Sequence, residues 1–170
     1  MTDPTVYIEE VSRVYRVGKR EIHALQAIAL TVTSGQIVAL RGRSGSGKTT
    51  LLNCIGGLDR PTTGRILVGD EDVTQMSDAR LVQLRRRQIG FVFQSHALLP
   101  TYSARENVDL MLRLASIPRQ ERQARTSQVL QLVGLSKWMD HRPYELSGGQ
   151  QQRVAIARAI APRPTLILAD

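Results

Sequence analysis

Cysteine is nearly absent from this sequence of 170 residues, and aromatics make up only 4% of it. The single thiol, Cys54, excludes an internal disulfide. Flanked by Leu51, Leu52 and Ile55, it is expected to sit inert in a helix core rather than to react. No apolar run approaches the roughly 20 residues that a membrane-spanning helix needs. The stretch from Met1 to Glu10 lacks the basic and apolar regions of a secretory signal. These absences predict a chain that stays in the cytoplasm. Internal repeats and low-complexity segments are also missing. Acidic residues are the minority, 15 against 23 basic ones, for a net charge of +8. That balance admits nucleic acid, an anionic membrane surface, a polyanionic small ligand or simply a basic solvated face. No basic stretch is laced with aromatics for base stacking, which argues against nucleic acid as a partner.

The length suits one domain with a sizeable core, and 42% of the residues are hydrophobic. Along the first 35 residues apolar and polar positions alternate, as at Val6 and Ile8 and again at Ile28, Leu30 and Val32. This is the period of half-buried strands. Ile37 to Leu40 is a continuous apolar run, expected to be a strand buried on both faces. A helix is expected from about Lys48 to Ile55, ended by Gly56-Gly57. Pro61 to Gly64 predicts a turn, with a short strand from Arg65 to Val68. Ser77 suits the start of a helix carrying Leu81 and Leu84, and Ile89 to Phe93 is a further apolar strand stopping at Gln94.

From Gln94 to Ala161 the period is helical. Ser103 with Glu106, and Ser147 with Gln150, have capping-box spacing. Val108, Met111, Leu112 and Ala115 share one helical face, Pro118 suits a first helical position, and Gly134 suits a helix end. Leu166 to Ala169 is one more buried-strand run, closing on Asp170.

Between the Ile37 run and the first helix lies Gly42-Arg43-Ser44-Gly45-Ser46-Gly47-Lys48-Thr49, a complete Walker A pattern. Glycines let successive N–H groups turn inward around an anion, and the following helix aims its positive end at the same point. Lys48 is a mobile charge able to reach β- and γ-phosphates. The Thr49 hydroxyl can coordinate Mg2+, and Thr50 can contact the α-phosphate. ATP is the expected ligand. The loop by itself leaves kinases, GTPases and ATPases open.

Leu146-Ser147-Gly148-Gly149-Gln150 narrows the choice, because with the Walker A pattern it resembles the ATP-binding cassette (ABC) family over essentially the whole chain. The resemblance implies an α/β fold: a P-loop NTPase (RecA-like) core, an N-terminal antiparallel β subdomain and a helical subdomain carrying the signature. It implies a division into a core with β subdomain, residues 1–93 plus 162–170, and a Q-loop and helical subdomain, residues 94–161. It further implies that Ser147, Gly148, Gly149 and Gln150 reach ATP held by a second ATPase subunit in a head-to-tail dimer. Gln94 matches the glutamine that contacts Mg2+ or its water, and Asp170 matches the Walker B carboxylate, so Lys48, Gln94 and Asp170 are the expected catalytic set. Tyr15 stands where the family stacks an aromatic on adenine; its alternative is a strand tyrosine packed on its own sheet. Gly57 to Gly64, Phe91 to Gln94 and Leu98 to Pro100 look like the macrolide-export and lipoprotein-releasing group. That group couples ATP hydrolysis to a transmembrane permease, which places the chain on the inner face of the cytoplasmic membrane. The permease is expected to dock between Gln94 and about Arg119.

A soluble ABC protein of translation or DNA repair is the competing reading, and a P-loop kinase or GTPase is disfavoured by the signature. The sequence ends at Asp170, ahead of the family's water-polarising Glu, its D-loop and its switch His. The expectation that follows is a core lacking its C-terminal part, which binds ATP, hydrolyses it poorly and leaves an open sheet edge. His23, His96 and His141 all precede the Walker B position and are expected to be surface or packing residues.

Overall fold

A computed structural model describes residues 4–170. The alternating N-terminal segment folds as a long antiparallel hairpin, β1 (Pro4–Val17) and β2 (Arg20–Thr33). β1 also pairs with β3 (Thr63–Val68), which pairs with the two-residue β4 (Glu71–Asp72), giving the order β2-β1-β3-β4. Val6 and Ile8 point into the core, and a strict period of two would then put Val11 outside. Instead the register shifts between Ile8 and Val11, where Glu10 takes a φ of +48°, and Val11 is fully buried. The bulge inserts one residue and restores the phase.

Helix α1 (Lys48–Ile55) has the expected bounds and packs on β2 and β3. It buries Leu51, Cys54 and Ile55, and burial pushes the Cys54 thiol up to about 11. The inert-thiol expectation holds. Helix α2 (Asp78–Arg87) follows, with Leu81 and Leu84 buried.

Strand β5 (Ile89–Val92) pairs in parallel with β6 (Leu166–Ala169). Between them in sequence run α3 (Ala104–Leu114), α4 (Arg119–Leu132) and α5 (Gly148–Ile160), with short 3-10 turns at Ser136–Trp138 and Pro143–Glu145. Val108 and Leu112 of α3, Val129 and Leu130 of α4, and Val154 and Ala157 of α5 meet in one apolar cluster. Both expected capping boxes form, at Ser103 and at Ser147. The chain divides into two compact units, Met1–Val82 and Gln83–Asp170, with the boundary inside α2.

Four expectations are corrected. Ile37 to Leu40 is not a strand, and Ile37 is fully exposed. A strand buried on both faces needs a hydrogen-bonded neighbour, and this run pairs with none of the described strands. β6 forms where expected, yet only its Leu168 is buried and Ile167 is half exposed, because among the described strands β5 is its one ladder partner. The turn expected at Pro61 to Gly64 is shorter, since Thr63 and Gly64 already belong to β3. Phe93 falls just past the end of β5 and stacks on Phe91, with ring centroids 5.3 Å apart.

Candidate functional site

In the first unit the Walker A segment is a compact loop at the head of α1. A turn closes where the Ser46 N–H donates to the Arg43 carbonyl at 3.1 Å. Lys48 arches back over it, donating from Nζ to the carbonyls of Gly42 and Arg43, each at 3.0 Å. Gly47 caps the helix at a φ of +88°, and its carbonyl accepts the first helical bond from Leu51. A Cβ at Gly47 would lie 2.3 Å from the Ala24 carbonyl oxygen, so no other residue fits.

The residues fit a triphosphate. At Gly42 a Cβ would come within 2.5 Å of the Ser46 hydroxyl, while Gly45, at a φ of +78°, faces open space. The inside of the loop is thus kept clear for an anion by the absence of side chains, while the first N–H groups of α1 have no intrahelical acceptor. Lys48, Thr49 and Thr50 lead the same helix.

Tyr15 is partly buried near the end of β1. Its hydroxyl donates to Asp59 Oδ2 at 2.5 Å, and the Arg13 guanidinium lies 4.4 Å from its ring centroid. Asp59 lies in the Gly57 to Gly64 stretch already noted, but sequence reasoning assigned neither it nor Arg13 a role. The one available signal was period-two spacing, which sets Arg13 and Tyr15 two apart on the same strand.

In the second unit the β5–β6 ladder brings two candidates to one edge. Val92 pairs with Ala169, and the Asp170 N–H donates to the Val92 carbonyl at 3.0 Å. Asp170 therefore leaves the end of β6 beside the strand from which Gln94, exposed, departs two residues later. The carboxyl ends of adjacent parallel strands are where α/β proteins gather ligands.

Ser147 begins α5 in a reciprocal cap: its Oγ accepts from the Gln150 N–H at 3.3 Å, and its own N–H donates to Gln150 Oε1 at 2.8 Å. Gly148 and Gly149 have open space where a Cβ would project. The result is an exposed, glycine-surfaced helix N-terminus. At the far end of the same helix Arg158 donates from Nη2 to the His96 carbonyl at 2.8 Å and from Nη1 to the Ala97 carbonyl at 2.5 Å. This arginine, another residue missed in the sequence, holds the turn after Gln94. His141 packs its ring against Trp138, centroids 5.0 Å apart.

Thr49 in the first unit, and Gln94 and Asp170 in the second, each carry an oxygen donor, the atom type that Mg2+ takes. Among the described residues no three His, Cys, Asp or Glu side chains gather into a metal cage.

Comparison with known proteins gives a consistent result. The family model described as ABC transporter matches residues 25–170. The chain is 48% identical over 162 residues to the lipoprotein-releasing system ATP-binding protein LolD of Chromohalobacter salexigens, covering 95% of this chain and 68% of that protein. It is 43% identical over 170 residues to the macrolide export ATP-binding/permease protein MacB of Hyphomonas neptunium, covering all of this chain and 26% of that protein. A solved dimeric structure of the ATP-binding cassette MJ0796, in a post-hydrolysis state bound to ADP and Pi, superimposes with a TM-score of 0.92. It is 42% identical in sequence, and the match covers 97% of this chain and 73% of that one. Its phosphate loop, its signature helix cap and these likenesses agree: the chain belongs to the ABC transporter family, as one of its ATP-binding cassettes.

Proposed function

We propose that this chain is the ATP-hydrolysing subunit of a transporter, gripping Mg2+-ATP in the Gly42 to Thr49 loop and driving a membrane permease. The observation that carries this reading is the built phosphate site at the head of α1, with Lys48 Nζ 3.0 Å from two loop carbonyls. Lys48 would exchange those carbonyls for β- and γ-phosphate oxygens, and Thr50 would contact the α-phosphate. Thr49, Gln94 and Asp170 would hold the metal, which when bound neutralises charge on the phosphates. Tyr15 would stack on the adenine.

The cap at Ser147, with Gly148, Gly149 and Gln150, would complete the site of a second copy in a head-to-tail dimer; the MJ0796 cassette is a dimer in the solved structure. In this reading the division expected from the sequence would have residues 1–93 plus 162–170 carry the nucleotide and 94–161 carry the signature. The segment after Gln94 would meet the permease, which sets the chain against the inner face of the cytoplasmic membrane. LolD is named for lipoprotein release and MacB for macrolide export, so outward movement of such molecules is the proposed transport.

Calorimetric titration with Mg2+-ATP, followed by sedimentation with and without nucleotide, tests the proposal. Lys48→Ala should abolish binding. Ser147→Arg should keep ATP binding and remove ATP-dependent dimers. ATP affinity untouched by Lys48→Ala, or dimers untouched by Ser147→Arg, would overturn it.

A further inference from the structure

Asp59 accepts four hydrogen bonds through its carboxylate. Arg13 donates to both its oxygens, from Nε at 3.0 Å and from Nη2 at 2.7 Å, and Tyr15 donates its hydroxyl at 2.5 Å. The Arg60 N–H adds a fourth bond at 2.7 Å. Although burial pushes the Asp59 carboxyl up, the donors from Tyr15 and Arg60 and the Arg13 cation hold it below its ordinary range. Asp59 is itself anchored. Its N–H and that of Leu58 both donate to the Asn53 carbonyl, near the C-terminal end of α1, at 3.2 and 2.9 Å. Thr62 lashes the same segment to β1, donating to the Ser12 carbonyl and accepting from the Val14 N–H.

A phenol ring fixed only at its Cβ can swing about two side-chain torsions. With the hydroxyl also held, the direction of the ring's long axis is set, and a cation over one face resists rotation about that axis. The Arg13 guanidinium, tied to the same carboxylate, covers one face in cation–π contact. Tyr15 is only partly buried, so the ring keeps exposed surface for a flat partner.

We propose that Asp59 is a positioning residue for nucleobase recognition: it fixes the Tyr15 ring through its hydroxyl and keeps Arg13 on one face, so that a purine stacks on the opposite face. This rests on Tyr15 being the adenine platform proposed above. It makes α1 common to both ends of the nucleotide, because the phosphate loop leads into the helix and Asn53, in its last turn, holds Asp59. A ring already fixed loses little freedom when the base arrives, so the stacking free energy appears in full in the affinity.

The test compares two probes, Mg2+-ATP and Mg2+-tripolyphosphate, the second lacking base and ribose. Dissociation constants are measured for the wild type, Tyr15→Ala, Tyr15→Phe and Asp59→Ala. Base stacking on an aromatic predicts that Tyr15→Ala weakens ATP roughly tenfold or more and leaves tripolyphosphate unmoved. Tyr15→Phe keeps the ring and loses only the hydroxyl. It and Asp59→Ala should each weaken ATP about threefold, again without moving tripolyphosphate. If Tyr15→Ala lowers the preference for ATP while the other two keep it, the positioning role is overturned and the platform stands. If Tyr15→Ala itself keeps the preference, the platform falls and the positioning role with it. If Asp59→Ala weakens both probes in parallel, Asp59 merely holds the fold and the proposal is overturned.

Discussion

Arg158, in the last turn of α5, donates to the His96 carbonyl at 2.8 Å, so the helix that begins at the signature ends on the turn after Gln94. His96 and Ala97 both have positive φ, +60° and +47°, a conformation costly for residues with a Cβ. The two carbonyl bonds from a half-buried cation are what offset that cost. Ser147 and Arg158 are eleven residues apart, about 16 Å along a helix.

Arg158→Met keeps the apolar stem and removes the donors. It should lower stability by about 2 kcal/mol, since two charge-assisted bonds are lost and two carbonyls are left to water. Amide hydrogen exchange should quicken at residues 94–99 and stay unchanged in α3. Uniform quickening across the unit would show that the arginine supports the fold in general rather than this turn.

Asn107 is the buried polar residue on which the next loop hangs. Its Oδ1 accepts from the Leu99 N–H at 2.8 Å, and its Nδ2 donates to the carbonyls of Leu99, Tyr102 and Ser103. Asn107→Leu fills the same volume but leaves those backbone groups unpaired, at a cost of about 2–3 kcal/mol. Chemical denaturation measures this. A loss below half a kcal/mol would mean that water replaces the amide at no cost.

Gly47→Ala should cripple the phosphate loop. The added Cβ meets the Ala24 carbonyl oxygen at 2.3 Å in a backbone conformation that disfavours any side chain. ATP affinity should fall at least tenfold in titration calorimetry, roughly the effect of misplacing one charge-assisted phosphate contact. Gly45→Ala, where a Cβ meets open space, carries the strain without the clash and should lose less.

Cys54 gives the chain an alkaline limit. Its thiol is raised from an ordinary 9.0 to about 11, first by burial and then by the charge of Asp59. A raised folded-state value means that the folded chain holds its proton more tightly than the unfolded chain. The contribution is complete below pH 9 and is lost as pH rises through 11, for a total of about 2–3 kcal/mol. Urea unfolding of wild type and Cys54→Ala at pH 8 and pH 11 isolates it from other titrations. The wild type should lead at pH 8, and the gap should close by pH 11.

The elements that the sequence determined are those whose stabilisation is local. Lys48 to Ile55 is bounded by glycines, the two capping boxes are closed by residues three apart, and β1 and β2 alternate because one face is wet. The phosphate loop and the signature are likewise contiguous, so the residues proposed to bind are legible from their order alone. Tertiary structure decided what depends on distant partners. The Ile37 to Leu40 run carries every local mark of a strand, yet a strand forms only where another supplies the hydrogen bonds, and no described strand does. A bulge at Glu10, invisible in the alternation, sets which face Val11 takes. No pattern gives a role to Asp59, Arg13, Arg158 or Asn107, because each works through a contact with residues remote in sequence or with backbone carbonyls. Spacing along the chain records neither kind of contact. The sequence thus named the groups that would touch ATP, and the fold chose the ones that hold them in place.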